Sequence, residues 1–439
     1  MSHSHTPPGS PLGGGLRVGG SGRHLVDREG LFVPLIIDTA WSAFSDTTED
    51  EWRVYLATRR RQGFTAVLVA TTPILHDRMT RPDSLESYER RADGFPDFDR
   101  PRAEFWQRAR DFTRIAHGEF GITLLVTVLW NNYLPGTWGA AATPGVVMPD
   151  GVRRDFVRAV ADALADLEPA FVVGGDDHYD VPDANAGYLE AIELLRERAP
   201  SSLLTTHTAP RAVLPAQIAE RLDFFLHQSG HNVENVDLTW QQPAQYLALS
   251  PRKPLVNSEP PYELHGKVGG RARRSRAEVR AASWASVLSG SSAGIGYGAH
   301  GVWMWATTHG SFEAGDSSLD PFLWADALRL PGALDISLLA RLFRDHRLDR
   351  LDPAQELLGP GLDPVLRAAA DPQRDIVAVH LPYASAVTID HDLSGHDIRM
   401  WDLHERTPIV PVVRHSSGRT IIEQAFGEAD QLIIAEHGR

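Results

Sequence analysis

The chain has no cysteine. Disulfides, zinc–thiolate sites and thiol nucleophiles are therefore excluded, and no redox compartment is indicated. A membrane span is also missing. Ala281–Phe312 lacks Asp, Glu, Lys and Arg, but its Gly and Ser content and its His300 and His309 fit a buried helix end followed by a buried strand. Residues 1–22 are rich in Gly, Pro, Ser and His and have no basic start leading into an apolar stretch. They predict a flexible arm, no secretion signal and a cytoplasmic enzyme. Positive charge is in deficit: 43 Lys and Arg face 57 Asp and Glu, for a formal net charge of −14. Such a surface repels phosphate backbones and anionic lipid, so neither nucleic acid nor membrane is an expected partner. The clusters Arg59–Arg61 and Arg271–Arg276 are short and read as solvated helix faces. No internal repeat is present, and no Gly-rich phosphate fingerprint follows the first strand candidate.

What is there is an ordinary globular composition, 42% hydrophobic and 23% charged, over 439 residues. That length suits a barrel of roughly 250 residues or more plus a smaller module. Short apolar runs alternate with amphipathic stretches. The strand candidates are Val33–Trp41, Phe64–Thr71, Ile122–Trp130, Phe171–Asp177, Leu203–Thr208, Phe224–Gly230, Lys253–Glu259 and Ala293–Trp303. Helix candidates separate nearly all of them. Thr48 and Glu51 have capping-box spacing at the head of a helix running to about Arg61. Other helices are expected over Glu104–Gly118, Ala186–Arg198, near Pro215–Arg221, and over Trp240–Leu249 and Ala277–Leu288. Phe156, Val160, Leu164 and Leu167 mark the buried stripe of another. Eight alternating strands and helices predict a parallel (β/α)8 TIM barrel over 23–350. From about Asp371 the runs shorten to Ile376–Leu381, Ala386–Asp390, Asp397–Trp401, Ile409–Val413, Thr420–Glu423 and Leu432–Ala435. They predict a small antiparallel β-sandwich over 351–439, with the boundary between about 350 and 372.

An α/β barrel carries its active site at the C-terminal strand ends. Those ends deliver Asp38 and Trp41; Trp130 and Asn131; Asp176, Asp177 and His178; His207; Gln228 and His231; Glu259 and Tyr262; and Tyr297, Trp303 and Trp305. Carboxylates can do acid/base and nucleophilic work, amides and imidazoles can bond ring hydroxyls, and indole faces can stack on sugar. Asp176 follows Gly174–Gly175, which lets backbone pack closely beneath it, and Glu259 ends the seventh run. They are the expected catalytic pair, Asp176 as acid/base and Glu259 as nucleophile. Asp177, its neighbour, could be the acid instead. The other residues are expected to bind substrate. Retention requires carboxyl groups about 5–5.5 Å apart and inversion about 6.5–9.5 Å; opposed places on a small rim favour the shorter gap. Two other readings remain: a barrel that binds carbohydrate without turnover, and a metal-dependent hydrolase using His227, His231, His207, His178 and Asp176. Against the second, the first strand ends in DTAW with no His-x-His pair, and His227 and His231 straddle a strand end and a Gly. No metal or cofactor is expected.

The ordered motifs RHLVDREGLFVPLIIDTAW, RQGFTAV, VVGGDD, LLTTHT, FLHQSGH, KPLVNSEPPYE and GIGYGAHGVW resemble glycoside hydrolase family 140, the apiosidase-like group. The resemblance is collinear from about 23 to the C-terminus and includes LPGALDISLLARLF and WDLHERTP. It implies a (β/α)8 catalytic domain followed by a β-domain named for collagen binding. It implies a catalytic Asp at Asp176 and a catalytic Glu at Glu259, and exo-type release of apiose from plant glycosides or pectin side chains. Pro73–Pro101 and the Trp138–Pro149 loop look specific to this chain and should border the pocket. The lack of a secretion signal fits the trimming of small imported glycosides better than attack on polymeric pectin.

Overall fold

The apolar runs condense into eight parallel strands: β1 Leu35–Thr39, β2 Ala66–Ala70, β3 Thr123–Trp130, β4 Ala170–Gly175, β5 Leu204–Thr205, β6 Phe225–Gln228, β7 Leu255–Glu259 and β8 Gly294–Tyr297. The computed structural model describes residues 15–79, 83–268, 272–310, 312–313, 319–359, 362–423 and 429–438. The strand order is β5-β4-β3-β2-β1-β8-β7-β6. A parallel bridge between His207 and Leu226 joins the two outer strands and closes the ring. Seven of these strands are buried along their whole length, and in β7 only Glu259 is partly exposed. That two-sided burial is why they read as continuous apolar runs rather than alternating ones.

Helices α1 Glu49–Arg61, α2 Ala103–Arg114, α3 Asp150–Leu164, α4 Pro182–Arg198, α5 Ala216–Ala219, α6 Leu238–Leu247, α7 Arg276–Leu288 and α8 Gly332–Asp345 form the outer layer. The Thr48–Glu51 capping box is formed at the head of α1, and Ser275 with Glu278 makes a second at α7. The helix expected to reach Gly118 leaves α geometry at Arg114 and continues as a π-turn over Ile115–Glu119. Arg59 is not on a solvated face. It points inward from α1, fully buried, with Nε 2.6 Å from Asp38 Oδ2. Residues 15–22, assigned by composition to the arm, are tied down. Arg17–Val18 pairs with Leu25–Val26, and Leu16 is buried in the barrel cluster. Residues 1–14 lie outside the described part.

Beyond α8 the strands are antiparallel: β9 Asp352–Pro353, β10 Arg367–Ala370, β11 Ile376–Leu381, β12 Val387–Ile389, β13 His396–Asp402, β14 Thr407–Ile409, β15 Val412–Ser416, β16 Arg419–Glu423 and β17 Gln431–His437. Six form the sheet β9-β10-β11-β17-β13-β14 and three form β12-β16-β15. Ile409–Val413, expected as one strand, is divided at Val410–Pro411, where Pro411 has no N–H to donate. Alternation along β11 and β17 gives the larger sheet two buried faces. Val377, Val379, Ile433 and Ala435 meet Val387, Ile389 and Ile422 of the smaller sheet. Ala378, Leu432 and Ile434, on the other face, join the barrel cluster. Polar clamps reinforce that seam: Arg280 pairs with both Asp335 of α8 and Asp430.

Candidate active site

Glu259 is aimed by an irregularity in its own strand. Between β6 and β7 the register slips, so that His227 pairs with Asn257 but Gln228 with Glu259, leaving Ser258 as the extra residue. Such a bulge turns the strand end and redirects its side chain. The Glu259 main-chain oxygen then accepts N–H bonds from Ser229 and Gly230, both at 3.1 Å. Its carboxylate meets two donors and the ring nitrogen of a third residue. Tyr262 OH lies 2.7 Å from Oε2, His231 Nε2 lies 2.9 Å from Oε1, and His207 Nε2 stands 3.3 Å from Oε2. His231 Nδ1 accepts the Tyr262 main-chain N–H at 3.3 Å, so the ring proton sits on Nε2, where it serves Glu259. Burial alone would raise the Glu259 carboxyl, but His207 and His231 outweigh it and hold the group far below the usual carboxylate range. Burial, then the Glu259 charge, pushes the Tyr262 phenol well above its usual value, so it stays a donor.

Asp176 follows β4 in the left-handed region, φ +52°, a costly conformation for a side-chain-bearing residue. Its backbone is held on both sides. The N–H donates to His207 O at 2.9 Å, while the carbonyl accepts from Trp138 Nε1 at 2.8 Å and from Asn131 Nδ2. Its Oδ1 accepts from Gln228 Nε2. The two preceding glycines are required by close approach. A Cβ on Gly175 would stand 2.4 Å from the Trp130 ring, and one on Gly174 would stand 2.5 Å from the Tyr179 hydroxyl. Burial, then the Glu259 charge, pushes the Asp176 carboxyl up to about 7. Two carboxyl groups at one site are thereby split, one ready to carry a proton near neutrality and the other ionised.

Both open into one pocket of about 670 Å³, within the range of small-molecule sites. Of the residues expected from strand ends, Trp41, Trp130, His178, Gln228, His231, Tyr262 and Trp303 line it with Asp176 and Glu259. His207 is fully buried beneath Glu259, with Nδ1 3.0 Å from Ser258 Oγ. Five others are not brought to the lining. Asp38 is spent on Arg59 and on Tyr55 OH at 2.7 Å, because its side chain points outward to α1. Tyr297 points into the same layer and donates to Glu263 Oε2 at 2.6 Å. Trp305 is buried in a stack on Trp324, with ring centroids 4.6 Å apart. Asn131 acts only on the Asp176 carbonyl. Asp177 turns away from the pocket and accepts from Tyr188 OH at 2.9 Å and from the His178 N–H.

Strand-end reasoning did not name His76, Asp77, Trp138, Arg211, Asn232 or His265, which also line the pocket. They come from the connections beyond the strands, Trp138 from the head of a short helix over Trp138–Ala142, and have no periodic signature, although the two segments expected to border the pocket supply His76, Asp77 and Trp138. His265 stacks on His231, with centroids 4.0 Å apart and planes at 18°. Burial first, then His231 and His300, hold it well below the ordinary imidazole value. Among the described residues, no group of three or more His, Asp or Glu side chains is arranged to hold a metal ion, and no helix is long and apolar enough to cross a membrane.

A (β/α)8 barrel with two electrostatically divided carboxyl groups in an aromatic-walled pocket has the architecture of a sugar-cleaving enzyme. The solved structures it resembles share that fold. One is described as a glycoside hydrolase, with TM-score 0.80, 18% identity and coverage of 98% of both chains. Another is a glycoside hydrolase family 5 protein from Bacteroides vulgatus, with TM-score 0.78, 20% identity and coverage of 97% of this chain and 94% of that one. No curated protein matches in sequence. The family model "Apiosidase-like, catalytic domain" matches residues 20–349, and the chain belongs to that family of glycoside hydrolases.

Proposed function

We propose that this glycoside hydrolase is a retaining exo-glycosidase that releases a terminal furanose such as apiose from a small glycoside or a pectin side chain. The observation that carries the reading is the division of the pair, Asp176 raised to about 7 and Glu259 held low. A general base works best with a pKa near the operating pH, so a strongly depressed carboxylate is a poor base for activating water. It is suited to attack carbon and then to leave again. In the first step Glu259 bonds to the anomeric carbon while the bond to the leaving oxygen breaks and Asp176 protonates that oxygen. In the second, water attacks the anomeric carbon, Asp176 takes its proton, and Glu259 departs as carboxylate. Tyr262, His231 and His207 stabilise the ionised nucleophile, and Gln228 orients the acid. Trp41, Trp130 and Trp303 offer apolar faces to the sugar. The apiose assignment rests on family membership.

The test is a panel of nitrophenyl furanosides and pyranosides, with NMR of the first anomer released. Retention is expected, and first release of the inverted anomer would make Glu259 a base. Glu259→Gln is expected to lower turnover by about 10²–10⁴-fold or more, the scale of one catalytic group, with an unchanged melting temperature. Undiminished turnover in that variant would remove Glu259 from the chemistry.

A further inference from the structure

We propose that the outer part of the pocket, on the Asp176 side, is a leaving-group subsite for a neutral, planar aromatic aglycone, with Trp138 as its platform. The inference rests on the assignment of Asp176 as the acid. The acid must lie beside the glycosidic oxygen, so the group bonded to that oxygen lies on the acid's side of the pocket. Trp138 is joined to that residue directly, its Nε1 donating to the Asp176 carbonyl at 2.8 Å. The bond consumes the only polar atom of the indole. Trp138 nevertheless remains 37% exposed at the pocket wall. What it offers a ligand is therefore ring face, in a fixed orientation.

His76 extends the platform, its ring 4.5 Å from that of Trp138 with planes at 56°. Its Nδ1 lies 3.2 Å from Asn132 Oδ1, and the Asn132 amide nitrogen is engaged by Gly139 O and Thr143 Oγ1, so His76 Nδ1 is the donor. Burial holds His76 down at about 4, which leaves it an uncharged aromatic neighbour at neutral pH. The charge of the pocket argues against an anionic aglycone. Glu234 and the ionised Glu259 line it, while Asp176 carries its proton in the step that releases the aglycone. Among the described residues Arg211 is the one Lys or Arg side chain in the lining, and it faces Asp237 at 3.6 Å and Asn235 Oδ1 at 3.2 Å. A uronic-acid leaving group would enter against that field with no free Lys or Arg among the described lining residues to meet it, whereas a flat phenol brings no charge and gains the ring contact.

Binding of 4-methylumbelliferone to the full chain, followed by calorimetry, tests this without turnover. Wild type is expected to bind it, Trp138→Phe to keep most of the affinity, and Trp138→Ala to bind about tenfold more weakly, the scale of one ring–ring contact. D-galacturonic acid is expected not to compete. Equal binding by wild type and Trp138→Ala, no detectable binding to wild type, or displacement of the phenol by galacturonate would each overturn the proposal. Kinetics separates it from the reading it rests on. With one sugar and two aglycones, Trp138→Ala should raise KM for the aryl glycoside about tenfold more than it raises KM for the methyl glycoside, and an equal change in both would overturn the proposal. If the phenol binds through Trp138 but no glycoside is cleaved, the hydrolytic reading fails and the subsite stands.

Discussion

His231 and Glu259 are locked by a single proton: the imidazole accepts the Tyr262 main-chain N–H on Nδ1 and so presents Nε2–H to the Glu259 carboxylate at 2.9 Å. The ring thus steadies the Glu259 carboxylate through one hydrogen bond, and His265 stacks on it with centroids 4.0 Å apart. Replacing His231 by Ala should cost about 1.5–3 kcal/mol, the worth of a hydrogen bond to a charged group, or roughly 10- to 100-fold in kcat/KM. It should also move the acid limb of the pH–rate profile upward, because Glu259 loses a group that keeps it ionised. His231→Gln, which retains a donor, should recover part of both effects. A variant with reduced rate but an unmoved acid limb would make His231 a packing residue only.

The Asp176 carboxyl at about 7 sets the opposite limb. The first step needs its proton, so kcat/KM should fall as pH rises through about 7. Asp176→Asn should abolish that limb and should slow phenyl glycosides far more than dinitrophenyl ones, which depart without protonation. Stability follows the same sign. The folded pKa of about 7 lies above the ordinary 3.8, so the folded state holds the proton more tightly between these values. The contribution of Asp176 to stability is therefore lost as pH rises from about 4 to 7 and changes little above. Melting curves of wild type and Asp176→Asn should converge at pH 4 and diverge at pH 8, with the variant the more stable. Parallel curves would mean that Asp176 is not raised.

Asp335, only 2% exposed, joins barrel and sandwich by accepting from Arg276, Arg280 and Arg406. Removing one partner of a buried ion cluster strands the others, at a cost of about 3–5 kcal/mol. Asp335→Ala should lower the denaturant midpoint accordingly. Because α8 and the larger β-sheet share one apolar cluster, activity and sandwich structure should be lost in one transition. Loss of less than about 1 kcal/mol would mean that the arginines find water instead.

Element identity was legible because barrel strands are buried on both faces and leave unbroken apolar runs, as VPLIIDTAW and ITLLVTVLW do around Leu35–Thr39 and Thr123–Trp130. Strand ends were legible for the same reason, and Asp176 and Glu259 stand where those runs stop. The β9 and β10 strands were not, since Asp352–Pro353 and the alanines of Arg367–Ala370 carry no β-branched signal.

The sequence by itself determined the order of strands and helices, the barrel they close into and the set of polar and aromatic groups delivered to one rim. Only the tertiary structure decided which way each group faces. The sequence favours Asp176 as the acid and leaves Asp177 as the alternative; a left-handed backbone at Asp176 keeps it with Gln228 in the pocket and sends Asp177 to Tyr188. Asp38 and Tyr297 were drawn instead into the buried layer around Arg59, and Trp138, at the head of a short helix, reached the Asp176 carbonyl. Facing and long-range pairing depend on which residues distant in the chain meet in space, and local periodicity does not record that.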